Sequence, residues 1–100
     1  MSDRNVTPNS VTQGPDESIA YAFNWAALGT PDDEGDFALF DENLTDISDQ
    51  LSGSASINAD VITSPLVTTL ASTGIYYLRN TVTIDGNNLS SVLKIVTDLV

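Results

Sequence analysis

The amino-acid sequence predicts an all-β fold, namely a small antiparallel β-sandwich. Apolar and polar residues alternate strictly from Ile19 to Trp25, and the second half of the chain is rich in β-branched residues. The dipeptide Asp85-Gly86, which suits a tight hairpin turn, joins two long segments of mixed polarity. Because a period of two places alternate side chains on one face of a strand, these segments are predicted to be strands.

The N-terminal segment, residues 1–17, is predicted to be a flexible arm. It contains Pro8, Gly14 and Pro15 among many polar residues, and therefore offers little apolar surface to bury. It also lacks the apolar stretch of a secretion signal, so we expect the protein to be soluble inside the cell that makes it. The β-sandwich domain is predicted to span residues 18–100.

The first strand of the domain is predicted around Ile19, Tyr21, Phe23 and Trp25, whose side chains share one face. Three aromatic residues at a spacing of two would be scattered around a helix, which favours the strand. Core packing is the favoured interpretation of this face. The alternative is an exposed aromatic platform that binds sugar or peptide.

The middle of the chain begins with a turn-rich segment, residues 29–35, and eight of the fourteen acidic residues lie within residues 32–49. Beyond it, Phe37, Leu39 and Phe40 indicate short strands. A second apolar set matches either short strands or one stripe of a helical turn: Leu44, Ile47 and Leu51. Both interpretations remain open at this point.

Further strands are predicted at residues 54–57 and 61–70, where β-branched residues are frequent. Pro65 interrupts the second of these segments, because proline has no N–H to donate to an interior ladder. Short strands, regular turn signals and a closing hairpin are together typical of the immunoglobulin-like sandwich, here without its cysteine pair.

The closing hairpin is the most clearly encoded element. If Asp85 and Gly86 form the whole loop, three apolar pairs meet on the core face: Val82 with Leu89, Leu78 with Leu93, and Tyr76 with Ile95. A four-residue loop would instead place Arg79 opposite Lys94, which is worse for charge and packing. The hydrophobic pattern therefore predicts the two-residue loop.

The other face of this hairpin is mixed in character, and a partner protein could pack on it. Its residues are Tyr77, Arg79, Thr81, Thr83, Val92, Lys94 and Val96. We expect Arg79 to pair either with an acidic residue of its own domain or with a carboxylate on a neighbour. The sequence leaves these two alternatives open.

Catalysis is not expected, since the chain contains neither histidine nor cysteine. A mechanism based on two carboxylates would remain, and Asp41 and Glu42 are adjacent, but nothing distinguishes them from other acidic residues. We predict no catalytic, cofactor-binding or metal-binding residues, and no cofactor. The acidic residues 32–36 are interpreted as a solvated surface, with calcium binding as the alternative.

The charge of the chain excludes two classes of partner. Fourteen acidic residues and three basic ones, Arg4, Arg79 and Lys94, give a net charge of −11, which repels phosphate backbones and anionic lipid. We therefore expect no nucleic-acid and no membrane binding. No apolar run approaches the roughly 18 residues of a membrane-spanning helix.

Two segments resemble a known family. Residues 16–28 (DESIAYAFNWAAL) and residues 74–96 (GIYYLRNTVTIDGNNLSSVLKIV) are similar to the opening strand and closing hairpin of the small tail-fibre adaptor proteins of tailed bacteriophages. The resemblance implies an immunoglobulin-like fold and a structural protein of the virion. It also implies an adaptor that attaches fibres to the tail, in several copies of a symmetric assembly, with the tail tube or nozzle and the fibre as partners.

Two other functions remain as alternatives. A decoration or cement protein on the phage head would have the same fold and also act by binding proteins. A carbohydrate-binding module would require an exposed Trp25 and a calcium ion held by the acidic loop.

Overall fold

The computed structural model describes residues 6, 7, 10–14, 17–68, 70 and 74–97. Within these ranges the chain forms nine strands, a single 3-10 turn at Ser48–Gln50 and no α-helix. The strands are β1 (Ser10–Gln13), β2 (Ala22–Asn24), β3 (Asp36–Asp41), β4 (Leu51–Ser52), β5 (Ser56–Asn58), β6 (Val61–Thr63), β7 (Leu66–Val67), β8 (Gly74–Ile84) and β9 (Asn87–Thr97). The predicted all-β fold is confirmed.

The strands form three sheets. The largest has the order β1-β9-β8-β3, a second has the order β2-β6-β5, and β4 pairs with β7. The Cα radius of gyration is 13.2 Å, which matches the roughly 13 Å of a compact 100-residue domain. The sheets therefore pack against one another as a small β-sandwich does.

The closing hairpin has the predicted register. Val82 pairs with Leu89, Leu78 with Leu93 and Tyr76 with Ile95, as the two-residue loop requires. Asp85 and Gly86 both have positive φ, 53° and 80°, which is the combination of a type I′ turn. This turn matches the right-handed twist of the two strands, so the sequence of the loop fixes how they pair.

The core lies between the large sheet and the β2-β6-β5 sheet. Leu39, Leu78, Leu93 and Ile95 enter it from the large sheet, and Phe23 and Ile62 enter it from the other side. The rings of Phe23 and Phe37 meet edge to face, with centroids 5.5 Å apart and an interplanar angle of 76°. These contacts hold the two layers together by burying apolar surface on both.

The strand predicted from Ile19 to Trp25 is shorter in the structure. Only Ala22–Asn24 forms the strand β2, and Ile19 contributes an isolated bridge to Val67. The alternation nevertheless sorts the side chains as predicted, because Phe23 and Trp25 are fully buried and the intervening residues are exposed.

The middle segment contains strand β3, a tight turn and the 3-10 turn, and no α-helical stripe. Ile47 and Leu51 are half-buried against the core, whereas Leu44 is exposed. The three residues therefore do not share one face, but the short helical turn that the sequence allowed is present as the 3-10 turn Ser48–Gln50, between Ile47 and Leu51. Pro65 lies between β6 and β7, where the sequence predicted a break.

The N-terminal segment differs from expectation in its described part. Residues 1–17 were predicted to be an arm outside the domain, yet Ser10–Gln13 forms β1 and pairs in parallel with β9. Val6 and Gln13 are buried, and the amide of Gln13 donates to Val67 O at 2.7 Å. Specific hydrogen bonds to distant residues hold this segment, which its polar composition did not indicate.

Candidate functional site

The large sheet has one face packed on the core and one face turned away from it. We define the second as the outer face. Its side chains are Asp36, Ala38 and Phe40 of β3, Ile75, Tyr77, Arg79, Thr81 and Thr83 of β8, and Asn88, Ser90, Val92, Lys94 and Val96 of β9. All of them are exposed or half-buried. This is the mixed face that the sequence pointed to as a possible contact surface for a partner.

The half of the outer face near the hairpin loop is polar and internally satisfied. The hydroxyls of Thr81 and Ser90 are hydrogen-bonded to each other at 2.9 Å, and Thr83 Oγ1 donates to Asn88 Oδ1 at 3.0 Å. Cross-strand pairs of this kind stabilise an exposed sheet surface. This half needs no further partner.

The other half of the outer face contains a shallow groove of about 450 Å³, which we call the outer groove. It is lined by Phe40, Glu42, Leu44, Tyr77, Arg79 and Val92. Two of its apolar side chains are largely in solvent, since Leu44 is 69% exposed and Val92 is 49% exposed. Clustered apolar side chains on a protein surface are typical of interaction sites.

Leu44 is held in the outer groove by a tight turn. Its φ is 64°, and its N–H donates to Asp41 O at 2.9 Å. The Asp41 carboxylate accepts from the N–H groups of Asn43 and Thr45 at 2.9 and 3.0 Å. This is a three-residue hairpin loop whose last position usually carries glycine. A leucine there strains the backbone and gains little burial, so it is poorly explained by stability alone.

Arg79 lies beside Leu44 in the outer groove and stacks on an aromatic ring. Its guanidinium carbon is 5.0 Å from the centroid of Phe40, which is a cation–π geometry. Hydrogen bonds from Ser48 to the Asp46 carboxylate lower the pKa of Asp46, the side-chain bond more than the backbone one. The positive charge of Arg79 lowers this pKa further. Within its own domain, Arg79 therefore contacts the Phe40 ring and interacts at longer range with the Asp46 carboxylate.

A second cation lies on the same face. Lys94 of β9 pairs with Tyr77, and Val92 pairs with Arg79. The two basic residues in the described part of the chain are therefore on one face, as diagonal neighbours on adjacent strands. The chain as a whole carries a charge of −11. The outer face therefore carries both described cations and, among its own side chains, one acid, Asp36.

The aromatic residues of β2 do not form a binding platform. Trp25 and Phe23 are 0% exposed, and the Trp25 indole N–H donates to Asn80 Oδ1 at 2.9 Å inside the core. A sugar ring therefore cannot stack on Trp25. The carbohydrate-binding alternative loses the residue on which it depended, and the favoured interpretation, core packing, is confirmed.

Tyr21, the third aromatic residue of this set, joins a polar network beneath the N-terminal segment. Its hydroxyl donates to Gln13 Oε1 at 2.7 Å, and the Gln13 amide donates to Val67 O and Glu17 O. Burial, with a smaller contribution from the negative charge of Glu17, raises the pKa of Tyr21 to about 12. This network fixes β1 against the rest of the domain.

The acidic residues 32–36 have structural contacts. Asp33 accepts from the N–H of Gly35 at 2.8 Å, and the Asn80 amide donates to the backbone oxygens of Glu34 and Asp36. In the part of the chain that the structure describes, no three acidic side chains converge as metal ligands. The geometry thus does not favour the calcium alternative.

Asp41 and Glu42, the adjacent carboxylates, have different surroundings. Asp41 caps the turn that carries Leu44, whereas Glu42 is exposed at the rim of the outer groove. The structure therefore assigns a structural task to Asp41. In the described ranges there is also no helix long and apolar enough to span a bilayer.

Sequence reasoning identified the β8 and β9 side of the outer groove and missed the β3 side. Phe40 was interpreted as part of a short strand, Leu44 as part of a short strand or a helical turn, and Glu42 as one acid among many. The β3 side could be found only by knowing that β3 pairs with β8, which places Phe40 opposite Tyr77. Nothing in the sequence marks position 44 as left-handed, because leucine is unusual there.

The fold and the outer groove together define a small β-sandwich domain with a solvent-exposed, partly apolar sheet face. No protein-family model matches the chain. No curated protein matches it either.

Proposed function

We propose that this protein is a non-enzymatic structural component of a tailed phage virion, an adaptor that attaches fibres to the tail. The observation that carries the proposal is the outer groove, in which Leu44 is exposed and strained in the turn after β3. A leucine that strains the backbone and gains little burial is explained by another purpose, and contact with a partner protein is the simplest one. The resemblance of residues 16–28 and 74–96 to tail-fibre adaptors supports the same function.

The arrangement of the large sheet suits an adaptor, which must hold two partners at once. The outer groove offers one contact surface. The edge of β3 is covered, because Ile47 N–H donates to Leu39 O and Leu39 N–H donates to Ser48 Oγ. The other terminal strand of the sheet, β1, is a natural site for adding a strand from a second protein.

The charge of the chain also fits assembly in several copies. A charge of −11 keeps free copies apart in solution, so that they meet only on a partner that offsets it. A ring of copies on a symmetric tail then gains avidity from many modest contacts. The localisation that follows is the virion, after synthesis in the host cytoplasm.

The test is a density map of intact purified particles, in which this chain is located and its neighbours are identified. Density between the tail tube and the fibre bases is the expected result. Density spread over the capsid lattice would replace the adaptor with a decoration or cement protein. Absence of the chain from particles would overturn the proposal altogether.

A genetic experiment gives an independent readout. Particles made without this protein should have complete heads and tails but lack fibres, and should not adsorb to the host. The matched control is complementation with the intact chain, which should restore fibres. Fully fibred particles in the absence of the protein would contradict the adaptor function.

A further inference from the structure

The two cations of the outer face are not held in ion pairs by the described part of the domain. Arg79 contacts a ring, and in the described part of the chain neither Arg79 nor Lys94 has a carboxylate at ion-pair distance. This is unexpected, because fourteen carboxylates compete for three basic residues. The positive charge is displayed on the same surface as the exposed apolar side chains.

We infer that the outer groove binds an extended, apolar protein segment that carries a carboxylate, and that Arg79 receives this carboxylate. The inference deepens the proposed function and rests on it for the setting, a partner within the particle. The recognition chemistry itself depends only on the groove. Lys94, one cross-strand step away, adds positive charge to the approach of the segment.

The geometry of Arg79 is suited to this task. Because its guanidinium lies over the Phe40 ring, this contact limits the positions of the group, which therefore loses less freedom when it binds. The edges of a stacked guanidinium still offer paired N–H donors, which match the two oxygens of a carboxylate. Arg79 is thus a preorganised anion receptor and not a mobile surface charge.

The apolar part of the groove explains why the partner is a peptide segment and not a free anion. Leu44, Val92 and Tyr77 lie around Arg79 and offer surface that gains free energy only when apolar groups cover it. Glu42 at the rim would repel a second carboxylate. A segment with one acid flanked by apolar side chains satisfies both constraints.

A second copy of this chain is the less favourable occupant. Two molecules that each carry a charge of −11 repel one another as they approach. Stacking two outer faces would also bring Arg79 and Lys94 of one copy near the same cations of the other. A different protein is therefore the occupant that the charges favour.

The test is an NMR titration of the isotope-labelled full chain with three capped seven-residue peptides. Each alternates threonine with valine or leucine, and the central residue is glutamate, glutamine or lysine. We expect the glutamate peptide to shift the amide signals of Phe40, Tyr77, Arg79 and Val92. It should bind about five-fold more tightly than the glutamine peptide, as one exposed charge pair allows, and the difference should shrink in high salt.

Two matched variants separate the role of Arg79 from the effect of net charge. Arg79→Gln and Asn88→Asp each lower the net charge by one unit, and the aspartate at position 88 can still accept the bond from Thr83 Oγ1. We expect Arg79→Gln to abolish the preference for the glutamate peptide and Asn88→Asp to retain it. Leu44→Gly should weaken binding of all three peptides alike.

Equal affinity for the three peptides, or no binding at all, would overturn the inference. So would concentration-dependent shifts of the same signals without peptide, which would identify a second copy as the occupant. Its failure is distinguishable from failure of the proposed function. A glutamate preference together with absence from particles would support the inference about the groove and contradict the adaptor function. No glutamate preference together with density at the tail would contradict the inference and support the adaptor function.

Discussion

At the scale of single residues, Asn80 links the core to the acidic loop. It is fully buried on β8, accepts the Trp25 indole N–H, and donates to the backbone oxygens of Glu34 and Asp36. One amide therefore satisfies a buried indole N–H, which would be costly to leave unpaired, and two part-buried backbone oxygens. In the described part of the chain no buried side-chain nitrogen or oxygen lacks a partner.

Substituting Asn80→Ala should lower the free energy of unfolding by about 2–4 kcal/mol, because it leaves the Trp25 N–H unpaired and opens a small void. Chemical denaturation measures this loss directly. Asn88→Ala, an exposed asparagine on the neighbouring strand, is the control and should change stability little. A similar stability for both variants would show that the buried amide is dispensable.

Tyr21 should make the fold sensitive to alkali. Its pKa is raised from 10.0 to about 12, so the folded state favours the protonated phenol. This contribution is complete below pH 10 and is lost as the pH rises towards about 12. Thermal unfolding followed across this range should show a decline that is smaller in Tyr21→Phe. Tyr77→Phe, outside the network, should keep the decline.

Residue-level features were only half predictable. The alternation in residues 19–25 correctly identified Phe23 and Trp25 as core residues, because period and burial are coupled within one strand. It could not identify Asn80 as the partner of Trp25, because the two are 55 positions apart and meet only when the sheets pack. The alternation along β8 places Asn80 on the core face with Leu78 and Val82, but no local feature indicates which group its amide bonds.

At the scale of elements, we expect the exposed leucine in the turn after β3 to lower the stability of the fold. We expect Leu44→Gly to raise the free energy of unfolding by about 0.5–1 kcal/mol, since glycine adopts positive φ without steric strain. Thermal or chemical denaturation provides the measurement. The expected gain in stability is specific to this turn, because the hydrogen bonds to Asp41 impose the positive φ of Leu44.

The matched control is Leu66→Gly. Leu66 is also largely in solvent, at 42% exposure, but it lies in strand β7 and does not have positive φ. Glycine weakens a strand, so this variant should be less stable than the original chain. If both glycine variants were destabilised, position 44 would not be strained in the way that the structure indicates.

The strand β1 should contribute to stability although its sequence resembles a linker. Deleting residues 1–13 removes buried Val6 and Gln13 and uncovers the edge of β9, so we expect a loss of at least about 3 kcal/mol. Denaturation of the shortened chain measures this. A flexible arm, as composition predicted, would leave the stability unchanged.

The contrast between the hairpin and β1 explains what sequence can indicate about elements. The turn between β8 and β9 is encoded by two adjacent residues, Asp85 and Gly86, and the apolar pattern beside it fixes the register. By contrast, Val11 pairs with Ile95, 84 positions away, in a parallel ladder without any turn of its own. No local sequence feature of a polar segment indicates that it pairs with a strand so far along the chain.

At the scale of the whole molecule, charge opposes folding. Fourteen carboxylates and three basic residues are closer together in the folded domain than in the unfolded chain. Raising the salt concentration from about 0.01 to 0.1 M shortens the screening length from about 30 to 10 Å. We expect Tm to rise by at least about 4 °C over this range, as a gain of 1 kcal/mol would produce.

Scanning calorimetry in sodium chloride measures this shift, and an equal osmolality of glycerol is the control for effects unrelated to charge. The pattern of charges matters as well as their sum. Because the two described cations lie on the outer face, Arg79→Gln should enlarge the salt dependence. A Tm that falls with added salt would mean that attractive pairs dominate the folded state.

The parallel pairing of β1 with β9 has a consequence for synthesis on the ribosome. β1 is made early but has no ladder partner until β9 has been translated, roughly 4–17 s later, since paired residues such as Val11 and Ile95 are 84 positions apart. During that interval β1 and the buried face of the sheet are available to any other strand edge nearby. A chain interrupted before β9 cannot complete the large sheet, and we expect it to be a substrate for cellular proteases. Only a chain translated through β9 can form all four strands of this sheet.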